Sequence, residues 1–193
     1  MDWSNVNTVF LDRDGVLNRK APEGGYVARW EDFKVLDGVI DALGRLARAG
    51  LRAFVVTNQR GVALGRYSLA DVDALHARFQ QLLAAHGARV SAFYVCPHDL
   101  GACNCRKPLP GLFERAAAEF PDVAPGTSVM IGDSLVDMEF GKGLGMRAIL
   151  IEGSGLIEDS SADRATGMEK AGDLADLRCA SLRDAVDALL GSE

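Results

Sequence analysis

Short apolar runs alternate along this chain with longer stretches whose apolar residues recur at helical spacing. Val9, Phe10 and Leu11 form a run with β character, too short for a helix, that stops at Asp12. Residues 38–49 carry Val39, Ile40, Leu43, Leu46 and Ala47 on one helical face, with Asp37 expected as N-cap and Gly50 as the stop. Residues 52–57 read as a second buried strand. Ser68, with Asp71 three residues on, opens a helix whose inward face is Leu69, Val72, Leu75, Phe79, Leu82 and Leu83. His76 and His86 are expected at its surface or rim. Further strands are predicted at about 92–95, 128–132 and 147–151, with a short one near 177–179. Helices are predicted to start at Pro110–Gly111, with Leu112, Phe113, Ala116 and Phe120 inward, after Ser134, and at Ser181, with Leu182, Val186, Leu189 and Leu190 inward. Residues 152–176, rich in Gly, Ser and Asp, predict a long irregular segment, and Cys179 a small buried hydrophobe. Strand, helix and strand in succession demand parallel pairs with right-handed crossovers. The fold class is therefore α/β, a doubly wound, Rossmann-like parallel sheet, in one domain spanning residues 1–193.

In such a sheet ligands bind beyond the carboxyl ends of the strands. Those ends carry Asp12 and Asp14 (with Gly15 and Asn18 behind them), Thr57 and Asn58, Arg106 and Lys107, and Asp133. A single D-x-D-G is more often a solvated turn, and a Thr-Asn pair can cap a turn as readily as hold an anion. Convergence of the four ends changes that reading. Neighbouring carboxylates repel unless a cation or shared proton relieves them, and Mg²⁺ prefers such hard oxygen ligands. A lysine, a threonine and a metal together suit a phosphoryl group. Asp12 would then be a nucleophile on phosphorus, and Asp14 could protonate the leaving oxygen and later activate water. Ser134 and Asp137 fit an N-cap and N3 pair, so Asp137 serves equally well as a helix cap or beside the metal.

Three of the four cysteines fall between positions 96 and 105, together with His98. Cys96, His98, Cys103 and Cys105 suit Zn²⁺ in a closed, structural, tetrahedral site, where the alternative is a loop of free thiols. Arg106 and Lys107 follow directly and would offset its negative charge. The chain has a net charge of −6, which gives no general attraction for nucleic acid or an anionic membrane. No apolar stretch approaches a membrane span and the first residues lack a signal-peptide pattern, so a cytoplasmic location is expected. A phospho-receiver module would need an aspartate at the end of the third strand, where Val95 and Cys96 stand. A zinc-only interaction module would leave Asp12, Asp14 and Asp133 unexplained.

D-R-D-G-V at 12–16, Thr57, Lys107 and G-D-S-L-V-D at 132–137, in that order, resemble the haloacid dehalogenase superfamily of phosphotransferases. T-N-Q at 57–59, C-P-H at 96–98 and C-N-C-R-K-P at 103–108 are similar to its branch of heptose-bisphosphate and histidinol-phosphate phosphatases. The resemblance implies the haloacid dehalogenase fold without a large cap domain, for which the element spacing leaves no room, and with a zinc-binding loop. It implies a Mg²⁺-dependent phosphoric monoester hydrolase with a structural Zn²⁺, a phospho-aspartyl intermediate and a small phosphorylated sugar as substrate. Asp12, the backbone carbonyl of Asp14, and Asp133 would hold Mg²⁺, while Thr57 and Lys107 would hold phosphoryl oxygens. Asn18, Asn58, Gln59, Arg60 and Arg106 are expected to reach the substrate. Resemblance places an aspartate after T-N-Q in the histidinol branch, whereas this chain has Arg60. A cation there, aided by Arg19, Lys20 and Arg66, repels an ammonium group and attracts a second phosphate, so a heptose bisphosphate is expected over histidinol phosphate. The chain is expected to act as a monomer.

Overall fold

The computed structural model describes residues 2–22, 24–153 and 162–191. Its elements are β1 (Thr8–Leu11), α1 (Val39–Arg48), β2 (Arg52–Asn58), α2 (Leu69–Ala85), β3 (Ala92–Cys96), α3 (Gly111–Glu119), β4 (Ser128–Gly132), α4 (Leu135–Leu144), β5 (Arg147–Ile151), α5 (Ala162–Leu174), β6 (Leu177–Cys179) and α6 (Leu182–Leu190). All six strands pair in parallel in the order β3-β2-β1-β4-β5-β6. Successive strands run outward from β1 on one side and from β4 on the other. The crevice between their carboxyl ends is thus the topological switch point, where ligands bind in such sheets.

β1 is buried on both faces, which is why it is a continuous apolar run rather than an alternating one. Val9 and Leu11 face the core layer beneath α1, α2 and α6, whereas Phe10 faces α3 and α4. Among the described residues no cap domain interrupts this order, and no helix is long and apolar enough to cross a membrane.

Several local expectations are corrected. The N-cap of α1 is Gly38, left-handed at φ 77°, and Asp37 precedes it without capping. The α2 capping box between Ser68 and Asp71 forms as its spacing implies, but Leu69 is exposed and the inward face begins at Val72. His76 is not at the rim. It is buried on that face, its ring stacked on Phe93 at 4.4 Å between centroids. Part of the 152–176 segment is helix α5, which lays Met168 and Ala171 against Met138 of α4. Residues 154–161 lie outside the described residues. Cys179 is half-buried at the core edge.

Candidate active site

The strand ends bring the expected acids and cations into contact. The Asp12 amide, just past β1, donates to the Ile131 carbonyl of β4 at 3.0 Å, which fixes the acidic loop to the switch point. The chain then turns tightly, with the Gly15 amide on the Asn18 carbonyl at 2.7 Å. Gly15 adopts φ 98°, and a Cβ there would lie 1.9 Å from Oδ2 of Asp133. Only glycine lets the loop approach that carboxylate so closely.

Lys107 reaches the crevice from beyond the cysteine loop and is buried. Its Nζ donates to Asp12 Oδ1 at 2.8 Å and to Asp137 Oδ1 at 2.6 Å. Asp137 takes its other bond from the Ser134 hydroxyl at 2.5 Å, and Ser134 makes no side-chain cap. Of the two roles open to Asp137, the N3 half of a cap pair therefore does not form. It is a buried counter-ion that steers Lys107. Gly132 makes room for it, since a Cβ there would lie 2.2 Å from the Asp137 Cβ.

Burial pushes the Asp12 carboxyl up to about 7, and Asp137, Asp133 and Asp14 add to the rise while the Lys107 ammonium opposes it. Burial alone would lower the Lys107 ammonium, but the Asp12 and Asp137 carboxylates overcome that and raise it. Lys20 lies 2.8 Å from Oδ1 and 2.6 Å from Oδ2 of Asp133. Lys20 is thus part of the cluster rather than only of a general positive field.

Asp14 is held from several sides. The buried Arg13 guanidinium donates to both of its oxygens at 3.1 Å, Asn18 donates to Oδ1 at 2.9 Å, and Gln59 donates to Oδ2 at 3.0 Å. Gln59 also donates to the buried Thr57 hydroxyl at 2.8 Å. Asn18 is completely buried, so its place is behind Asp14 rather than against a substrate. The Asn58 amide is engaged on both atoms by the Lys107 backbone, at 3.0 and 3.1 Å, and fixes that residue in the crevice.

Carboxylate oxygens of Asp12, Asp133 and Asp137 lie within 4.8 Å of one another. This hard-oxygen set fits Mg²⁺. Lys107 and Ser134 engage the Asp137 oxygens, Lys20 engages both oxygens of Asp133 and Lys107 one oxygen of Asp12, so each of the three carboxylates stands here in an ion pair with which a metal would compete. At the end of β3 and in the loop that follows, the Cys96 and Cys103 sulfurs are 3.6 Å apart and those of Cys103 and Cys105 3.4 Å. His98 Nδ1 stands 3.3 Å from the Cys105 sulfur and 3.8 Å from that of Cys96. Four ligands about 2.3 Å from a central ion in a tetrahedron would be about 3.8 Å apart. The spacing therefore fits a Zn²⁺ cage and is far too long for a disulfide, whose sulfurs lie about 2 Å apart.

Beside the acids opens a pocket of about 360 Å³ lined by Lys20, Tyr26, Asn58, Arg60, Tyr67 and Arg106 among others. Arg60 donates to Asp99 of the cysteine loop at 2.5 Å, so its charge is partly met. Arg106 Nη1 is buried without a hydrogen-bond partner. No local pattern marks the buried Arg13, which lies between two acids, or Tyr67, one aromatic among polar loop residues.

A parallel sheet with an aspartate at its switch point, a buried lysine on it and a second aspartate two residues on is an arrangement suited to phosphoryl-transfer hydrolysis. The chain belongs to the haloacid dehalogenase-like hydrolases, whose family model matches residues 4–145. It is 44% identical over 132 residues to D-glycero-alpha-D-manno-heptose-1,7-bisphosphate 7-phosphatase of Mycobacterium tuberculosis, covering 68% of this chain and 69% of that one. It is 38% identical over 149 residues to D-glycero-beta-D-manno-heptose-1,7-bisphosphate 7-phosphatase of Pseudomonas putida, covering 76% and 83%. The solved D,D-heptose 1,7-bisphosphate phosphatase of B. bronchiseptica, complexed with magnesium and phosphate, superposes with a TM-score of 0.82 at 30% identity, over 96% of this chain and 98% of that one.

Proposed function

We propose that this chain hydrolyses the 7-phosphate of D-glycero-D-manno-heptose 1,7-bisphosphate through a phosphoryl group carried on Asp12. The observation that carries the reading is the Asp12–Lys107–Asp137 array at the switch point, on a chain similar to phosphatases of that name. Bound through Asp12, Asp133 and the Asp14 carbonyl, Mg²⁺ would neutralise the phosphate and lower the effective proton affinity of Asp12. Lys107 holds Asp12 as an oriented carboxylate and offers its ammonium to the phosphoryl oxygens as charge builds. The Thr57 hydroxyl serves the same oxygens. Asp14 gives its proton to the departing sugar oxygen as the P–O bond breaks, then takes one from the water that releases phosphate from Asp12. Cys96, His98, Cys103 and Cys105 would hold a structural Zn²⁺, which would fix the loop from which Arg106 and Lys107 enter the site.

The preference for a bisphosphate rests on the pocket. It presents Lys20, Arg60 and Arg106, and the unmatched Arg106 nitrogen suits a second phosphate better than the ammonium of histidinol phosphate. Asp99 shares Arg60, so Arg106 bears more of this preference than the sequence alone implied. Competing kcat/KM measurements on both anomers of the heptose bisphosphate and on histidinol phosphate test the reading. A bisphosphate should be favoured, Arg106→Ala and Arg60→Asp should each narrow the gap, and Asp12→Asn should release no phosphate from any of them. An equal or better value for histidinol phosphate would overturn the assignment.

A further inference from the structure

The loop after β2 folds back and returns Tyr67 to the strand end that it left. The Tyr67 hydroxyl donates to Gln59 Oε1 at 2.6 Å. The same Gln59 side chain donates through Nε2 to Asp14 Oδ2 at 3.0 Å and to the Thr57 hydroxyl at 2.8 Å. An amide offers one acceptor and one pair of donors on opposite sides. A hydroxyl donor fixed on the acceptor side keeps the donors aimed at the acid and the threonine. Burial pushes the Tyr67 phenol up to about 12, so it stays protonated through the neutral range.

The ring is itself seated firmly. It packs edge-on to Tyr26 at 5.6 Å. Gly61 lies against its other side, where a Cβ would come within 2.2 Å of the ring. Tyr67 also lines the pocket. A residue of the pocket wall is thus joined by two hydrogen bonds to the group that handles the proton.

We infer that Tyr67 is a positioning residue for proton transfer: through Gln59, its hydroxyl holds the Asp14 carboxyl in the orientation from which it protonates the leaving sugar oxygen. The inference rests on the phosphatase reading above. As the Asp12–phosphorus bond forms and the bond to the sugar oxygen breaks, that oxygen takes the Asp14 proton and leaves as an alcohol. An alkoxide needs the proton, whereas p-nitrophenolate departs without one. Loss of alignment at Asp14 therefore penalises the first kind of substrate selectively, and a general disturbance of the fold penalises both.

The experiment compares wild type with Tyr67→Phe on the heptose bisphosphate and on p-nitrophenyl phosphate. Tyr67→Phe keeps the ring and should lower kcat about tenfold on the sugar phosphate, part of the full contribution of an acid-base group, and less than about twofold on the aryl ester, with KM unchanged. Gly61→Ala, which unseats the ring while leaving every hydrogen-bonding group in place, should show the same selectivity. Equal losses on the two substrates, or no loss with Tyr67→Phe, would overturn the inference while leaving the phosphatase reading intact. A wild-type chain inactive on both substrates would overturn the two together.

Discussion

His76 shows how much one side chain depends on where its helix is packed. Neutral imidazole is accepted beneath α2, but burial there, with the Arg13 guanidinium nearby, pushes the group down to about 3, and Asp14 acts only weakly the other way. The unfolded chain would bind a proton near pH 6.5, and the folded one resists it until about 3. The resulting stability is complete above 6.5 and is lost as the pH falls through that window. His76→Phe removes the group that must be protonated and keeps a ring for Phe93 to stack on. Unfolding free energies from urea titrations should therefore fall less between pH 7.5 and 4.5 in the variant than in wild type, by an amount on the order of 2 kcal/mol. Parallel profiles would mean that His76 is protonated freely in the folded chain.

At the scale of an element, the cysteine loop is short of apolar anchors, and its Leu100 is largely exposed. The Arg60–Asp99 pair ties it to the strand end after β2, and its order is expected to depend further on a metal held by the four ligands. One zinc per chain should be found by elemental analysis of reduced protein. Cys103→Ser should lose it and lower stability by about 2 kcal/mol, or about 5 °C in Tm for a chain of this length. Activity should fall as well, because Arg106 and Lys107 begin directly after the last ligand, Cys105. An active, unaltered Cys103→Ser protein would refute a structural zinc.

Across the whole molecule, the site and the fold's stability reserves are separable. The site sits beyond the carboxyl ends of β1 and β4, whereas the far edge of the sheet is closed by Asp176, which accepts from Lys142 of α4 at 2.9 Å and from the Ala148 amide of β5 at 2.8 Å. Asp176→Ala leaves that amide without its partner and should cost about 1–2 kcal/mol in a denaturant titration. The kcat on the aryl ester should not change. A matching fall in kcat would show that the edge is coupled to the crevice.

The sequence by itself determined the order of the strands and of every helix but α5, the acids and bases at the strand ends, and the cysteine–histidine loop. Each is written locally: an apolar run followed by an aspartate, or four ligands within ten positions. The sequence also carried the chain's likeness to the haloacid dehalogenase family, because those motifs keep their order. Only the tertiary structure decided that Asp137 serves Lys107, that Lys20 rests on Asp133, that Arg13 is buried as the brace of Asp14, and that His76 is inside. These depend on partners brought from elsewhere in the chain, and no local period encodes them. Helix α5 escaped for a related reason: the residues it lays against the core, Met168 and Ala171, include too little apolar bulk to mark a face. A charge's role is set by what folds against it, and the same lysine is solvent-bound in one packing and catalytic in another.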